Sequence, residues 1–140
     1  MAMIYTTKVK VNGGRAGRAI SDDGRLDIQL VPPKEASPDR PGVNPEQLFA
    51  AGYAACFESS MRAAARRANI SLLDASIEAT VSLVSCEVGG YALEVTLNVE
   101  TQGISQSEAD TLADQAHRQV CPYSNAIRGN IDVQLQVTAH

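Results

Sequence analysis

The chain has 140 residues, 44% of them hydrophobic but only 4% aromatic, with no Trp, three Cys and a net charge of −4. One domain is the natural count for that length, and the acidic balance argues against a nucleic-acid surface, whose affinity rests on neutralising phosphates. The opening MAMIYTTKVKV has no apolar signal core and no stretch reaches transmembrane length, so the chain reads as cytoplasmic, with neither nucleic acid nor membrane as a partner.

Tyr5, Thr7, Val9 and Val11 alternate with polar neighbours, which predicts a half-buried strand turned by Gly13-Gly14. Arg15 to Ile20 returns, Asp22-Asp23-Gly24 turns again, and Leu26, Ile28 and Leu30 alternate in a third strand. Pro32 to Val43, rich in proline, reads as a surface loop. From Asn44 to Ala68 the pattern is helical, with Asn44 as N-cap, Pro45 in the first helical position and Gln47 three residues past the cap. Leu48 to Phe57 is apolar or small on every face, which predicts partners on all sides, one of them a second helix from this chain or another copy.

Two further alternating runs, Ile77–Leu83 and Tyr91–Val99, flank Gly89-Gly90 and predict an antiparallel hairpin with one wet face. Ser105 and Glu108 fit a capping box ahead of a helix running to Val120, and Pro122 breaks that helix at Cys121. A short helical turn follows, stopping near Gly129, and Ile131 to Val137 closes the chain as a strand. Lone helices between runs of alternating strands give an α+β class with antiparallel sheet.

The chemistry lies in the cysteines. In a reducing compartment three of them suggest a reactive or transient pair rather than a permanent framework. Only about 3% of an ordinary thiol is thiolate at pH 7, and burial lowers that, so a nucleophile inside the Leu48–Phe57 run needs a cation nearby. By local chemistry Cys121, at an N-cap, is the more acidic sulfur, and Cys56, mid-helix, has no such help. The bland reading of each is a small buried hydrophobe.

NPEQLFAAGYAACF (Asn44–Phe57) and VCPYSNAIRGNIDV (Val120–Val133) resemble the two cysteine motifs of organic hydroperoxide resistance proteins (Ohr), within the OsmC superfamily. Tyr5–Leu30 and Gly89–Val99 resemble the same family, so the match spans residues 1–140 as one Ohr/OsmC-like domain. The resemblance implies antiparallel sheets wrapped around long central helices in an intertwined homodimer. It implies a thiol peroxidase with no metal or other cofactor, reducing alkyl or fatty-acid hydroperoxides to alcohols. Cys56 would attack and form a sulfenic acid, Cys121 would resolve it to a disulfide, and a dithiol, typically a lipoyl group on a carrier protein, would reopen that bond.

Arg15 in GGRAG matches the family's arginine beside the reactive sulfur, and Glu46 in NPEQ the carboxylate that holds it. Arg18 is the competing arginine. Glu46 and Cys56 lie about 80° out of phase on an ideal helix, so Arg15 would have to bridge them or the helix start bend. Leu48, Phe49, Tyr53 and Phe57 are the candidate apolar walls of the substrate pocket, with the loop Lys34–Val43 shaping its entrance. The alternative from another class is a peroxide-sensing or apolar-ligand-binding protein without efficient turnover.

Elsewhere the bland readings stand. Cys86 is incidental, and His117 is a solvated or capping residue rather than a zinc ligand, lacking CxxC or HxxxH spacing. Arg62, Arg66 and Arg67 complement a helix C-terminus. Tyr123, Ser124 and Asn125 either position Cys121 or, in the blander and preferred reading, cap the short turn, and Arg128 pairs with an acid.

Overall fold

In the computed structural model of Met1–His140 the chain falls into two units, Met1–Leu48 and Phe49–His140. The first holds β1 (Val9–Asn12), β2 (Arg18–Ser21) and β3 (Asp27–Gln29), antiparallel in sequence order, with Val9 opposite Ser21 and Ala19 opposite Ile28. β1 starts four residues later than the alternation from Tyr5 predicts. The reason is its partner: β2 ends at Ser21, where Gly24 at φ 75° completes the turn, so residues 5–8 have no strand to pair with. Val9 and Val11 are exposed within the chain, so the expected half-buried face is not buried here. The Pro32–Val43 loop is tied at its ends, Val31 N–H donating to the Val43 carbonyl at 2.9 Å and Val43 N–H to that of Gln29 at 3.0 Å.

Helix α1 runs from Pro45 to Arg67. Its start is the reciprocal cap the sequence predicts: Gln47 N–H donates to Asn44 Oδ1 at 2.8 Å, and Asn44 N–H to Gln47 Oε1 at 3.1 Å. Its end is a left-handed Asn69, φ 55°, with Ile70 N–H reaching back to the Ala65 carbonyl at 2.9 Å. Tyr53, Phe57 and Met61, each fully buried, form its inward stripe at i, i+4, i+8. Ala51, Ala55 and Ser59, at the same spacing on another face, are exposed. The run that looked dry all round therefore has one open face of small side chains in the single chain.

In the second unit β4 (Asp74–Ser85) and β5 (Tyr91–Gln102) make the predicted hairpin, twelve residues a side, from Asp74 opposite Gln102 to Ser85 opposite Tyr91. Helix α2 (Gln106–Gln115) carries the complete Ser105–Glu108 capping box. It loosens into a π turn, Ala116–Val120, where a regular helix was predicted, and α3 (Pro122–Ile127) follows. β6 (Gln134–Ala139) then returns beside β5 in parallel, Leu97 opposite Leu135, the one parallel pairing among antiparallel ones. A parallel neighbour requires a crossover, which α2, the π turn and α3 supply.

β5 is the middle strand, and Val95, Leu97 and Val99 project inward with α1 and α2 residues into one core that includes Leu112, Ala113, Ala116 and Cys121. No helix is long and apolar enough to cross a membrane. Thr101 continues the inward face of β5 at 0% exposure, and its hydroxyl has no hydrogen-bond partner. A buried polar group left unpaired costs free energy that an isosteric methyl does not, so Thr101→Val should raise stability by about 1 kcal/mol, read as a higher urea midpoint at unchanged slope.

Candidate active site

The N-terminal unit builds an arginine mount. Gly13 and Gly14 adopt positive φ, 85° and 57°, and open a single 3₁₀ turn, Gly14–Ala16. Gly17 closes it where any Cβ would lie 1.6 Å from the Asn12 carbonyl oxygen, so no other residue fits. Gln29 Nε2 holds the far side by donating to the Gly17 carbonyl at 2.7 Å. Arg15, at the middle of the turn, meets Glu46 in a two-pronged pair, Nη1–Oε2 2.9 Å and Nη2–Oε1 2.6 Å. The pair holds the Glu46 carboxyl below its usual range. Arg18 is committed to Asp27 at 2.7 Å, which leaves Arg15 as the arginine that Glu46 holds.

The C-terminal unit builds a sulfur pair. Cys56 lies in the fourth turn of α1. Cys121 is the N-cap of α3, its backbone extended (φ −70°, ψ 115°) as the residue before a proline must be. Its sulfur makes no capping hydrogen bond. The helix-end bond invoked for Cys121 from sequence is thus not formed, because that sulfur faces Cys56 instead. The two sulfurs are 3.2 Å apart, both free thiols, and a bond would need about 1.1 Å of approach.

Cys121 is fully buried and Cys56 partly so. Burial above all, and then Cys121 beside it, pushes the Cys56 thiol up to about 11, although the Tyr123 N–H favours its anion. A thiol at that value is ionised only on the order of one part in ten thousand at pH 7.

The CPYS segment is pressed onto α1. Gly52, one turn before Cys56, leaves room for the Tyr123 ring: a Cβ there would lie 2.5 Å from the Tyr123 hydroxyl oxygen and 3.0 Å from Cζ. Phe49, Tyr53 and Tyr123 pack with ring centroids 5.8–6.3 Å apart. Of the four candidate pocket residues, Tyr53 and Phe57 are fully buried core, whereas Leu48 and Phe49 are only partly covered.

Sequence reasoning missed a chain of hydroxyls behind the sulfurs, Tyr53 Oη to Ser124 Oγ at 2.6 Å and Ser124 Oγ to His117 Nδ1 at 2.9 Å. Ser124 is no surface cap but fully buried. Arg128, expected on an acid, donates instead to the His117 carbonyl at 2.6 Å and to Asn125 Oδ1 at 2.5 Å. His117 and Ser124 stand seven residues apart across a proline break, so neither helical nor strand periodicity could have paired them. Cys86 lies in the hairpin turn, its N–H bonded to the Gly90 carbonyl, and Arg62 pairs with Glu58 and Asp74. No group of three or more His, Cys, Asp or Glu side chains converges.

The model of the family described as OsmC-like protein matches residues 36–136. The organic hydroperoxide resistance protein OhrB of Bacillus subtilis is 47% identical over 135 residues, 96% of this chain and 98% of that one. The chain belongs to the OsmC-like family, in its organic hydroperoxide resistance branch. Its Xanthomonas axonopodis pv. citri relative is likewise 47% identical, covering 95% and 94% of the two chains. The fold follows suit: OhrB superposes at a TM-score of 0.89, and an organic hydroperoxide resistance protein from Legionella pneumophila, 48% identical, at 0.91 over 98% of this chain and 99% of its own.

Within this OsmC-like site Gly52 has a checkable role. Gly52→Ala should push the Tyr123 ring off α1 and slow Cys56–Cys121 disulfide formation severalfold. Helix propensity should at the same time rise by about 1 kcal/mol, so the melting temperature should not fall. Stopped-flow oxidation alongside thermal denaturation separates the two effects.

Proposed function

We propose that this chain is a thiol peroxidase that reduces organic hydroperoxides to alcohols through Cys56 and Cys121. The observation that carries it is the pair of free sulfurs at 3.2 Å, one of them sealed from solvent. The Cys56 thiolate attacks one peroxide oxygen and the O–O bond breaks. The sulfur is oxidised to sulfenic acid, and the alcohol leaves with the proton the thiol gave up. Cys121 then displaces the sulfenic hydroxyl: an S–S bond forms and water carries off the Cys121 proton. A dithiol reductant restores both thiols and is itself oxidised to a disulfide.

In this reading Arg15 supplies the cation that the Cys56 thiolate needs, and Glu46 keeps its fork aimed. Phe49 and Leu48, with Tyr53 and Phe57 beneath, give the site its preference for alkyl or fatty-acid hydroperoxides over hydrogen peroxide. We read the two units as one OsmC-like domain, supported by relatives that align over nearly the whole chain. We read the open Ala51–Ala55–Ser59 face of α1 as the seat of a second copy in a homodimer. A lipoyl group on a carrier protein is the proposed reductant and the cytoplasm the proposed compartment.

A second reading, a peroxide-sensing protein oxidised once without turnover, fits the same pair of free sulfurs at 3.2 Å.

Steady-state consumption of cumene hydroperoxide with dihydrolipoamide decides between them. Turnover is expected, faster with the alkyl peroxide than with hydrogen peroxide, and a single stoichiometric oxidation would leave only the sensor. Cys56→Ser should abolish consumption, and Cys121→Ser should give one oxidation followed by sulfinic acid at Cys56. Arg15→Lys, which keeps the charge but loses the two-pronged grip, should lower kcat/KM by about tenfold or more.

A further inference from the structure

Nothing in the chemistry above uses His117, Ser124 or the Tyr53 hydroxyl, yet they form one chain behind the sulfurs. Tyr53 stands three residues before Cys56 on α1, Ser124 three residues after Cys121 on α3, and His117 four residues before Cys121 in the π turn. Tyr53 and Ser124 are both at 0% exposure. π turns are rare and concentrate at functional sites. Here the turn closes with Cys121 N–H on the Ala116 carbonyl at 2.8 Å.

The direction of the chain can be worked out. The Tyr53 hydroxyl has no hydrogen-bond partner but Ser124, so its proton goes there. Ser124 then gives its own proton to His117 Nδ1, 2.9 Å away. His117 must accept at Nδ1, which makes it the neutral tautomer protonated at Nε2. A ring protonated on both nitrogens would donate to Ser124 and leave one buried hydroxyl of the chain without an acceptor.

We propose that His117 is a positioning residue for the resolving step. Its neutral ring closes the Tyr53–Ser124–His117 chain that holds the CPYS turn against α1 and keeps Cys121 within bonding reach of oxidised Cys56. The proposal rests on the peroxidase reading and deepens it.

The surroundings keep that ring neutral. Burial first, then Arg128 and Arg118, hold His117 below its ordinary value, and Asp114 on α2 opposes them. From α1 the group facing it is the Tyr53 phenol, through Ser124, with Cys56 and Cys121 beyond. Burial raises the phenol and keeps it un-ionised. His117 also lines a cavity of about 320 Å³ with Arg128 and Asp132, so solvent protons reach it although Tyr53 and Ser124 are sealed. Because its folded value is lowered, the chain is intact at neutral pH and above, and it breaks as pH falls through that value.

The test compares wild type, His117→Leu and His117→Asn from about pH 8 to about pH 5. Asn offers an oxygen near the position of Nδ1 and cannot be protonated there. Two readouts are used: the rate of Cys56–Cys121 pairing with diamide, and the fraction of Cys56 driven to sulfinic acid by tert-butyl hydroperoxide. His117→Leu should slow pairing on the order of tenfold at neutral pH and raise the sulfinic fraction, with the first oxidation of Cys56 within about twofold of wild type. His117→Asn should match wild type at neutral pH and outpace it increasingly toward pH 5. Their ratio cancels the loss of thiolate common to both.

The proposal is overturned if His117→Leu pairs its thiols at the wild-type rate, or if the Asn to wild-type ratio stays flat. Should the Leu variant fail to fold, the Asn ratio decides alone. Diamide pairs thiols without any peroxide, so a wild type that oxidised but never turned over would sink the peroxidase reading while leaving the dependence on His117 measurable.

Discussion

The two sulfurs are held in contact in a place that resists charging Cys56. Burial is what brings Cys121 to within 3.2 Å of Cys56, through the packing of α3 on α1, and the same burial pushes the Cys56 thiol up to about 11. A site optimised for pairing two thiols is thereby poorly suited to ionising one. The C-terminal unit answers in part, with the Tyr123 N–H favouring the Cys56 anion.

The N-terminal unit is built to hold an arginine. Two glycines at positive φ and a third with no room for a Cβ form a turn whose only projecting functional group is Arg15. The carboxylate that grips it stands in the first turn of α1, two residues past a cap that fixes where the helix begins. Arg18 is kept out of that role by its own acid, Asp27, so two nearby arginines do not compete for Glu46. One helix, α1, carries both Glu46 and Cys56.

Small side chains make the close approaches possible. Gly52 lets an aromatic ring lie on α1 where any other residue would push it away, and alanines bring α2 and the π turn close enough for Cys121 to reach the core. The few aromatic rings are concentrated where they decide geometry: Phe49, Tyr53, Phe57 and Tyr123 share edge or tilted contacts around the sulfurs. The polar chain through Ser124 then ties the buried end of that cluster to a histidine that solvent reaches.

The order of elements, the caps at Asn44 and Ser105 and the break at Cys121-Pro122 were readable from the chain, because each depends on neighbours within a turn or on period-two alternation. The choice of Cys56 and Cys121 came instead by likeness of their motifs, which carried Arg15 and Glu46 as well. What the sequence left open depends on contacts between distant residues. That Arg18 is held by Asp27 while Arg15 meets Glu46 showed only in the fold, and the parallel seat of β6 turned on the crossover. The fate of Ser124 and His117 turned on α3 folding back over Tyr53. Local rules made Ser124 a cap and His117 a solvated or capping residue. Only packing could bury Ser124, since its Tyr53 partner lies 71 residues away along the chain, and that burial sets it against the half-exposed His117 ring.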